Sequence, residues 1–213
     1  MNVPTSDTWV KRELVTADAM NRRVRDAHLW LYNRPYARVT GRQYGSASTT
    51  SGSYPSDTIS PGPFTGNAWK THPFYVPGTG VRKTNEFDST GGLMTPTGAN
   101  GAVWKLVAPV DGLYEIIYSG VLETSSKPVN VHLRLGVNVT ADTQYGSSGY
   151  TVGSEVGGHV SDTRHVGDIC VVLPLQAGDA VSAGAVSDKT FWLGNIDLPD
   201  RTSLSMQWVG RYA

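Results

Sequence analysis

From about Val76 onward, hydrophobic and polar positions alternate in short runs, the period-two signature of strands that bury one face. In the run Gly112 to Tyr118, the residues Tyr114, Ile116 and Tyr118 share a side and Glu115 stands opposite. From Val131 to Val137 the apolar set points one way, with His132 and Arg134 on the other side, and Leu204, Met206 and Trp208 alternate with Ser203, Ser205 and Gln207. These patterns predict half-buried antiparallel strands. The run Ile169 to Leu173 is apolar on both sides, so the side that misses the core needs another cover, such as a neighbouring subunit.

Turn signals separate the runs at Gly91-Gly92, Pro109 to Gly112, Gly146 to Gly149, Gly157-Gly158 and Gly178-Asp179, a spacing that suits a sandwich or jelly roll. No alternation of strands with helices suggests a nucleotide-binding α/β fold.

Residues 16 to 32 have helical periodicity, with Thr16 as N-cap, Asn33 as stop and Pro35 forbidding continuation. Met20, Val24, Ala27 and Leu31 form a narrow apolar stripe, with Trp30 beside it, on a helix otherwise lined by Arg22, Arg23, Arg25, Asp26 and His28. The stripe covers about two heptads, short of the three or four that define a coiled coil. Two readings stay open: a parallel self-association seam, or a helix packed on its own domain. Gly45 to Gly66 is mostly Ser, Thr, Gly and Pro, a linker or an extended arm. Tyr54, Ile59, Phe64 and Trp69 punctuate it, as anchors on another surface or as plain exposed side chains. The predicted organisation is an anchoring or trimerising helix over 1–40, an arm or linker over 41–75, and an all-β head over 76–213.

Composition agrees with this picture. Gly, Ser, Thr and Val are abundant, as in strands joined by tight turns. Charged residues are 17% of the chain, below the roughly 25% usual for soluble domains. The formal net charge of zero gives no support to nucleic-acid binding or charge-driven membrane attachment. The start, Met1 to Asp7, has no basic region leading into an apolar core, and no apolar run approaches the ~20 residues that span a bilayer. The expectation is a protein made in a cytosol and not inserted in a membrane. The single cysteine, Cys170, lies in the apolar run, where a buried, inert thiol is expected.

Candidate chemistry is sparse. There is no phosphate-cradling loop, no Gly-x-Ser-x-Gly elbow and no Cys-x-x-Cys or His-Glu-x-x-His spacing. His159, Asp162 and His165 are the best candidate metal ligands, around a Gly-rich turn, but they fall short of a defined zinc site. A glycosidase-like carboxylate pair would have to assemble across distant loops. Asn138-Val139-Thr140 matches a glycosylation acceptor by chance. Tyr145, Tyr150, Phe191 and Trp192 fall in or beside predicted loops, as candidate ligand-binding aromatics or as loop packing. No enzymatic activity and no cofactor are expected.

Asn85 to Gly92, followed by Ala108-Pro109-Val110-Asp111-Gly112-Leu113-Tyr114-Glu115-Ile116, resembles the opening strands of complement C1q and tumour-necrosis-factor-like jelly rolls. Val131 to Asn138, Gly167 to Asp179 with its Leu-x-x-Gly-Asp hairpin, and Leu204 to Val209 resemble later strands of that family. The likeness covers about residues 80 to 213 and departs from the family in the insert from Leu93 to Val107. It implies a compact homotrimer with apolar and aromatic strand faces on the threefold axis. Ile169, Val171, Leu173, Tyr114 and Tyr118 are then the candidate interface residues.

The N-terminus resembles a different group. Trp9-Val10, Glu13 to Ala17, Met20-Asn21, Val24-Arg25-Asp26 and Trp30-Leu31 are similar to the leader of minor virion proteins from tailed bacteriophages of actinobacteria. Lys11-Arg12 stands where a glycine is common in that leader. Together the resemblances imply a virion surface protein: a trimeric tail appendage that contacts host glycans, or a trimeric decoration that stabilises the capsid. Its partners would be itself and other virion proteins. The reading from another class is a glycan hydrolase.

Overall fold

The computed structural model describes residues 16–25, 34–40, 70–71, 74–75, 87–95, 102–103, 105–125, 131–139, 151–152, 164–193 and 202–212. Among them the chain is nearly all β. One short helix, α1, runs over Ala17–Met20 and widens into a π turn over Asn21–Arg25. The Thr16 carbonyl accepts the Met20 amide at 3.0 Å, as an N-cap carbonyl does. The predicted helix therefore starts where expected, and its α geometry gives way to the π turn after Met20; 26–33, with Ala27, Trp30 and Leu31, lie outside the described residues.

The strands are β1 (Tyr36–Thr40), β2 (Lys70–Thr71), β3 (Phe74–Tyr75), β4 (Phe87–Asp88), β5 (Ala102–Val103), β6 (Leu106–Val107) and β7 (Gly112–Thr124). They continue with β8 (Val131–Val137), β9 (Thr151–Val152), β10 (Arg164–Leu175), β11 (Ala180–Ser187), β12 (Phe191–Leu193) and β13 (Ser203–Gly210). One sheet has the order β10-β7-β13-β1-β4, with β12 also on β7; the other has β2-β11-β8-β9, with β6 also on β11; β3 and β5 pair separately. All pairings are antiparallel. The chain leaves the first sheet after β7, returns at β10, crosses again at β11 and comes back with β12 and β13. That alternation gives a jelly-roll order.

The alternating runs become core as predicted. Tyr114, Ile116, Tyr118 and Leu122 of β7 meet Leu133 and Leu135 of β8, with Leu204, Met206 and Trp208 of β13 in the same cluster. Tyr36–Thr40 is a correction to the predicted boundaries. It lies between β13 and β4 as an inner strand of the large sheet, with Ala37 and Val39 fully buried, although sequence reading grouped it with the anchoring helix. Lys70–Thr71 and Phe74–Tyr75 also join sheets, although they were expected in the arm.

Two of the predicted turns, Pro109 to Gly112 and Gly178-Asp179, are parts of one clamp. The Ala177 amide donates to Asp111 Oδ1 at 2.7 Å, the Gly178 amide to the Ala108 carbonyl at 2.8 Å, and the Ala108 amide to the Asp179 carbonyl at 2.8 Å. Asp179 Oδ2 accepts the Gln176 amide at 2.7 Å and Oδ1 accepts Asn138 Nδ2 at 2.8 Å. Asn138 Oδ1 in turn accepts the Ala180 amide at 2.9 Å. Gly178, at φ 95°, occupies the left-handed region that glycine enters without strain. The Ala-Pro-x-x-Gly and Gly-Asp motifs thus co-occur because each satisfies the other's backbone groups at one end of the sandwich. Asn138, the residue of the chance glycosylation match, is committed to this clamp.

Asp88 organises a second turn. Its Oδ1 accepts the Thr90 amide at 2.8 Å and the Thr90 hydroxyl, and its Oδ2 accepts the Thr95 hydroxyl at 2.8 Å. Ser89 Oγ accepts the Tyr36 amide at 2.9 Å and donates to the Arg34 carbonyl at 3.0 Å, fastening this turn to the start of β1.

Tyr114 is fully buried, and its hydroxyl donates to the Val110 carbonyl at 2.7 Å. Burial pushes its phenol well above the ordinary tyrosine value, so the native state keeps a proton that an unfolded tyrosine releases near pH 10. This contribution to stability is whole below about pH 10 and declines as pH rises above it. Tyr114→Phe should cost about 1–2 kcal/mol, the penalty for leaving a buried carbonyl unsatisfied, and should flatten part of the alkaline decline. Guanidinium denaturation between neutral and alkaline pH measures both.

Candidate interaction face

Strand β10 exposes the consequence of a run that is apolar on both sides. Ile169 and Leu175 point into the core, with Val171 and Leu173 packed partly against it, while Val166, Cys170 and Val172 point outward. Val166 is 50% exposed and Val172 54%. Cys170 is exposed, which corrects the expectation of a buried thiol: strand parity, not the apolarity of the run, decides the side on which it lies.

The register builds this face across the whole sheet. Cys170 pairs with Ile117, Ile117 with Ser205, Ser205 with Arg38 and Arg38 with Phe87, so these five residues form one row on one side of five strands. A neighbouring row runs Val172, Glu115, Gln207, Tyr36. Ile117 is 38% exposed and Phe87 53%. Tyr36 and Phe87 lie with ring centroids 5.9 Å apart and planes tilted by 31°. On the same side Asp168 accepts the Ser119 hydroxyl. The face is therefore aliphatic and acidic toward the β10 edge, aromatic and basic toward the β4 edge.

The predicted site residues distribute differently. Tyr114, Tyr118 and Ile169 are buried within the chain's own core and cannot face another subunit; Val171 and Leu173 are half-buried against that core. These candidates thus lie on the inward side of their strands, because a sequence that is apolar at 169–173 on both sides does not say which side faces in. Of the aromatic candidates, Phe191 is fully buried, a correction to its reading as a ligand-binding ring. It pairs in register with Thr124 at the end of β7, which turns it into the core. Trp192 lies on β12, and Tyr145 and Tyr150 lie outside the described residues. So do His159 and Asp162; among the described residues no group of His, Cys, Asp or Glu could hold a metal ion. Ile117, Val166, Val172, Phe87 and Arg38 were missed as a set, because only strand register brings them together.

Met20 and Val24 of the helical stripe are 44% and 49% exposed, so these two stripe residues are not packed into the sandwich. A shallow pocket of about 330 Å³ is lined by Asp111, Gly112, Arg211 and Tyr212. Its Asp111 is already engaged by the Ala177 amide. Among the described residues no helix is long and apolar enough to cross a membrane.

No family model matches the chain, and no curated protein matches it. Among solved structures, the Eiger TNF from S. frugiperda is similar at 13% identity and a TM-score of 0.47, over 84% of this chain and 96% of that one. What the strand order and the exposed face define is a class: an antiparallel jelly-roll sandwich that leaves an apolar sheet face uncovered by the described residues.

Proposed function

We propose that this protein is a non-enzymatic virion structural protein of a tailed bacteriophage: a homotrimer whose C1q-like head projects from the particle and whose N-terminal helix attaches it to other virion proteins. The observation that carries the trimer is the uncovered face of the large sheet, with Val166, Val172 and Ile117 exposed around Cys170. Apolar patches of this kind mark contact surfaces on proteins that otherwise bury such side chains. The virion assignment rests on the leader from Trp9 to Leu31. The exposed Met20 and Val24 fit an anchoring role. Within that assignment a tail appendage that binds host-surface glycans is the favoured place, and a capsid decoration is the other.

Immunogold electron microscopy of purified particles, with antibody raised to the full chain, tests this. Gold at the tail is the expected result, and gold over the head makes the protein a decoration. Particles without label overturn the virion reading and return a hydrolase to consideration.

A further inference from the structure

We infer that the cleft lined by Asp111, Gly112, Arg211 and Tyr212 is a subsite for an uncharged pyranose ring. The inference rests on the glycan-contact part of the proposed function and gives that contact a place, away from the loop aromatics. The cleft lies with the clamp at one end of the sandwich, off the exposed face of the large sheet.

Backbone geometry builds it. Trp208 is the register partner of Tyr114, but Gly210, not Val209, is the partner of Leu113, so β13 carries one extra residue where its pairing ends. Bulges of this kind re-aim the side chains that follow. Continued by two residues, the shifted register sets Arg211 beside Gly112 and Tyr212 beside Asp111, the four residues that line the cleft. Without the bulge, Arg211 would stand opposite Asp111. The Asp111 side is held in place: Trp208 Nε1 donates to its carbonyl at 3.3 Å, and the Ala177 amide donates to its Oδ1 at 2.7 Å.

The lining chemistry selects the ligand. Asp111 Oδ2 has no hydrogen-bond partner among the described residues, and a carboxylate oxygen accepts sugar hydroxyls. Arg211 brings N–H donors for the ring and hydroxyl oxygens. Tyr212 is 41% exposed, and its ring presents an apolar body and a polar tip to the C–H side of a sugar. One carboxylate and one guanidinium cancel, so the cleft favours neither a polyanion nor a cation. An acidic sugar meets Asp111 as a like charge. The volume of about 330 Å³ lies at the small end of ligand pockets, roughly 300–1,000 Å³, which suits a single ring.

Saturation-transfer NMR on the full-length chain tests this, with the methyl glycosides of glucose, galactose, mannose and N-acetylglucosamine as neutral probes and that of glucuronate as the acidic one. At least one neutral glycoside should bind with a Kd of about a millimolar, the strength open to so small a ligand, and glucuronate should bind more weakly. Tyr212→Ala and Asp111→Asn should each weaken the neutral glycoside by about tenfold, and Asp111→Asn should narrow the gap to glucuronate. Asparagine keeps an oxygen for the Ala177 amide and Tyr212 is exposed, so both variants retain the fold. The subsite is overturned if the wild type binds no neutral glycoside, if both variants bind as the wild type does, or if glucuronate is preferred. Labelled particles whose protein binds no glycoside overturn this inference alone, whereas particles without label overturn the virion reading whatever the NMR shows.

Discussion

Gly112→Ala should cost about 3–4 kcal/mol of folding stability, at the upper end of what an added methyl does in a packed interior. A Cβ on Gly112 would stand 2.0 Å from Trp208 Nε1, 2.6 Å from its Cδ1 and 2.7 Å from the Gly210 carbonyl oxygen. Trp208 is held there by the bond from its Nε1 to the Asp111 carbonyl at 3.3 Å and by its place in the core. The Gly210 oxygen belongs to the neighbouring strand, so relief requires β13 to move away from β7. Gly210→Ala is the matched control, since a Cβ there meets nothing within 4 Å; it should change stability by less than about 0.5 kcal/mol. Urea unfolding of both variants checks this, and a Gly112→Ala midpoint close to the wild type would show that the close approach of β7 to Trp208 is wrong. The same contact explains the glycine of the Gly-x-Tyr motif: Gly112 makes room for Trp208, while Tyr114, two residues on, buries its ring and ties back to Val110.

Val172→Asp should convert the proposed trimer to monomer without unfolding it. Val172 is 54% exposed and lies opposite Glu115 in register, so the substitution removes an apolar contact from the proposed interface and adds a carboxylate beside another. Within the chain the new group remains in water, and stability of the isolated fold should change by less than about 1 kcal/mol. Val171→Asp, one residue along and packed against the core, should do the opposite and destabilise the fold itself. Circular dichroism melts together with sedimentation velocity read the two effects separately. Equal assembly of Val172→Asp and the wild type would remove this face from the interface.

The sequence showed those parts of the fold whose pattern is local and long enough to count. The 13-residue β7 alternates cleanly, and its inward set Tyr114, Ile116 and Tyr118 was readable because Glu115 breaks the apolarity on the other side. The Ala-Pro-x-x-Gly and Gly-Asp motifs were legible as turns, although their mutual hydrogen bonding through Asp111, Asp179 and Asn138 was not. Strand β1 escaped because five residues are too short for a periodicity, and because its partner β13 lies at the far end of the chain. The two-residue strands β2 and β3 carry no pattern of their own. The candidate face was half legible: an apolar run at 169–173 announced a second apolar side, but parity had to come from the pairing with β7. Phe87 and Arg38 join Ile117 and Cys170 only through four successive registers, which no local pattern encodes.

The most direct test of the account is the mass of the purified full-length chain by sedimentation equilibrium at micromolar concentration. Three copies of the 22.9 kDa chain, about 69 kDa in a closed ring, is the predicted result, with Cys170 slow to react with a thiol reagent until the assembly is dissociated. A single 22.9 kDa species whose Cys170 reacts at once would contradict it, because the uncovered face of the large sheet would then be solvent-facing in the working protein.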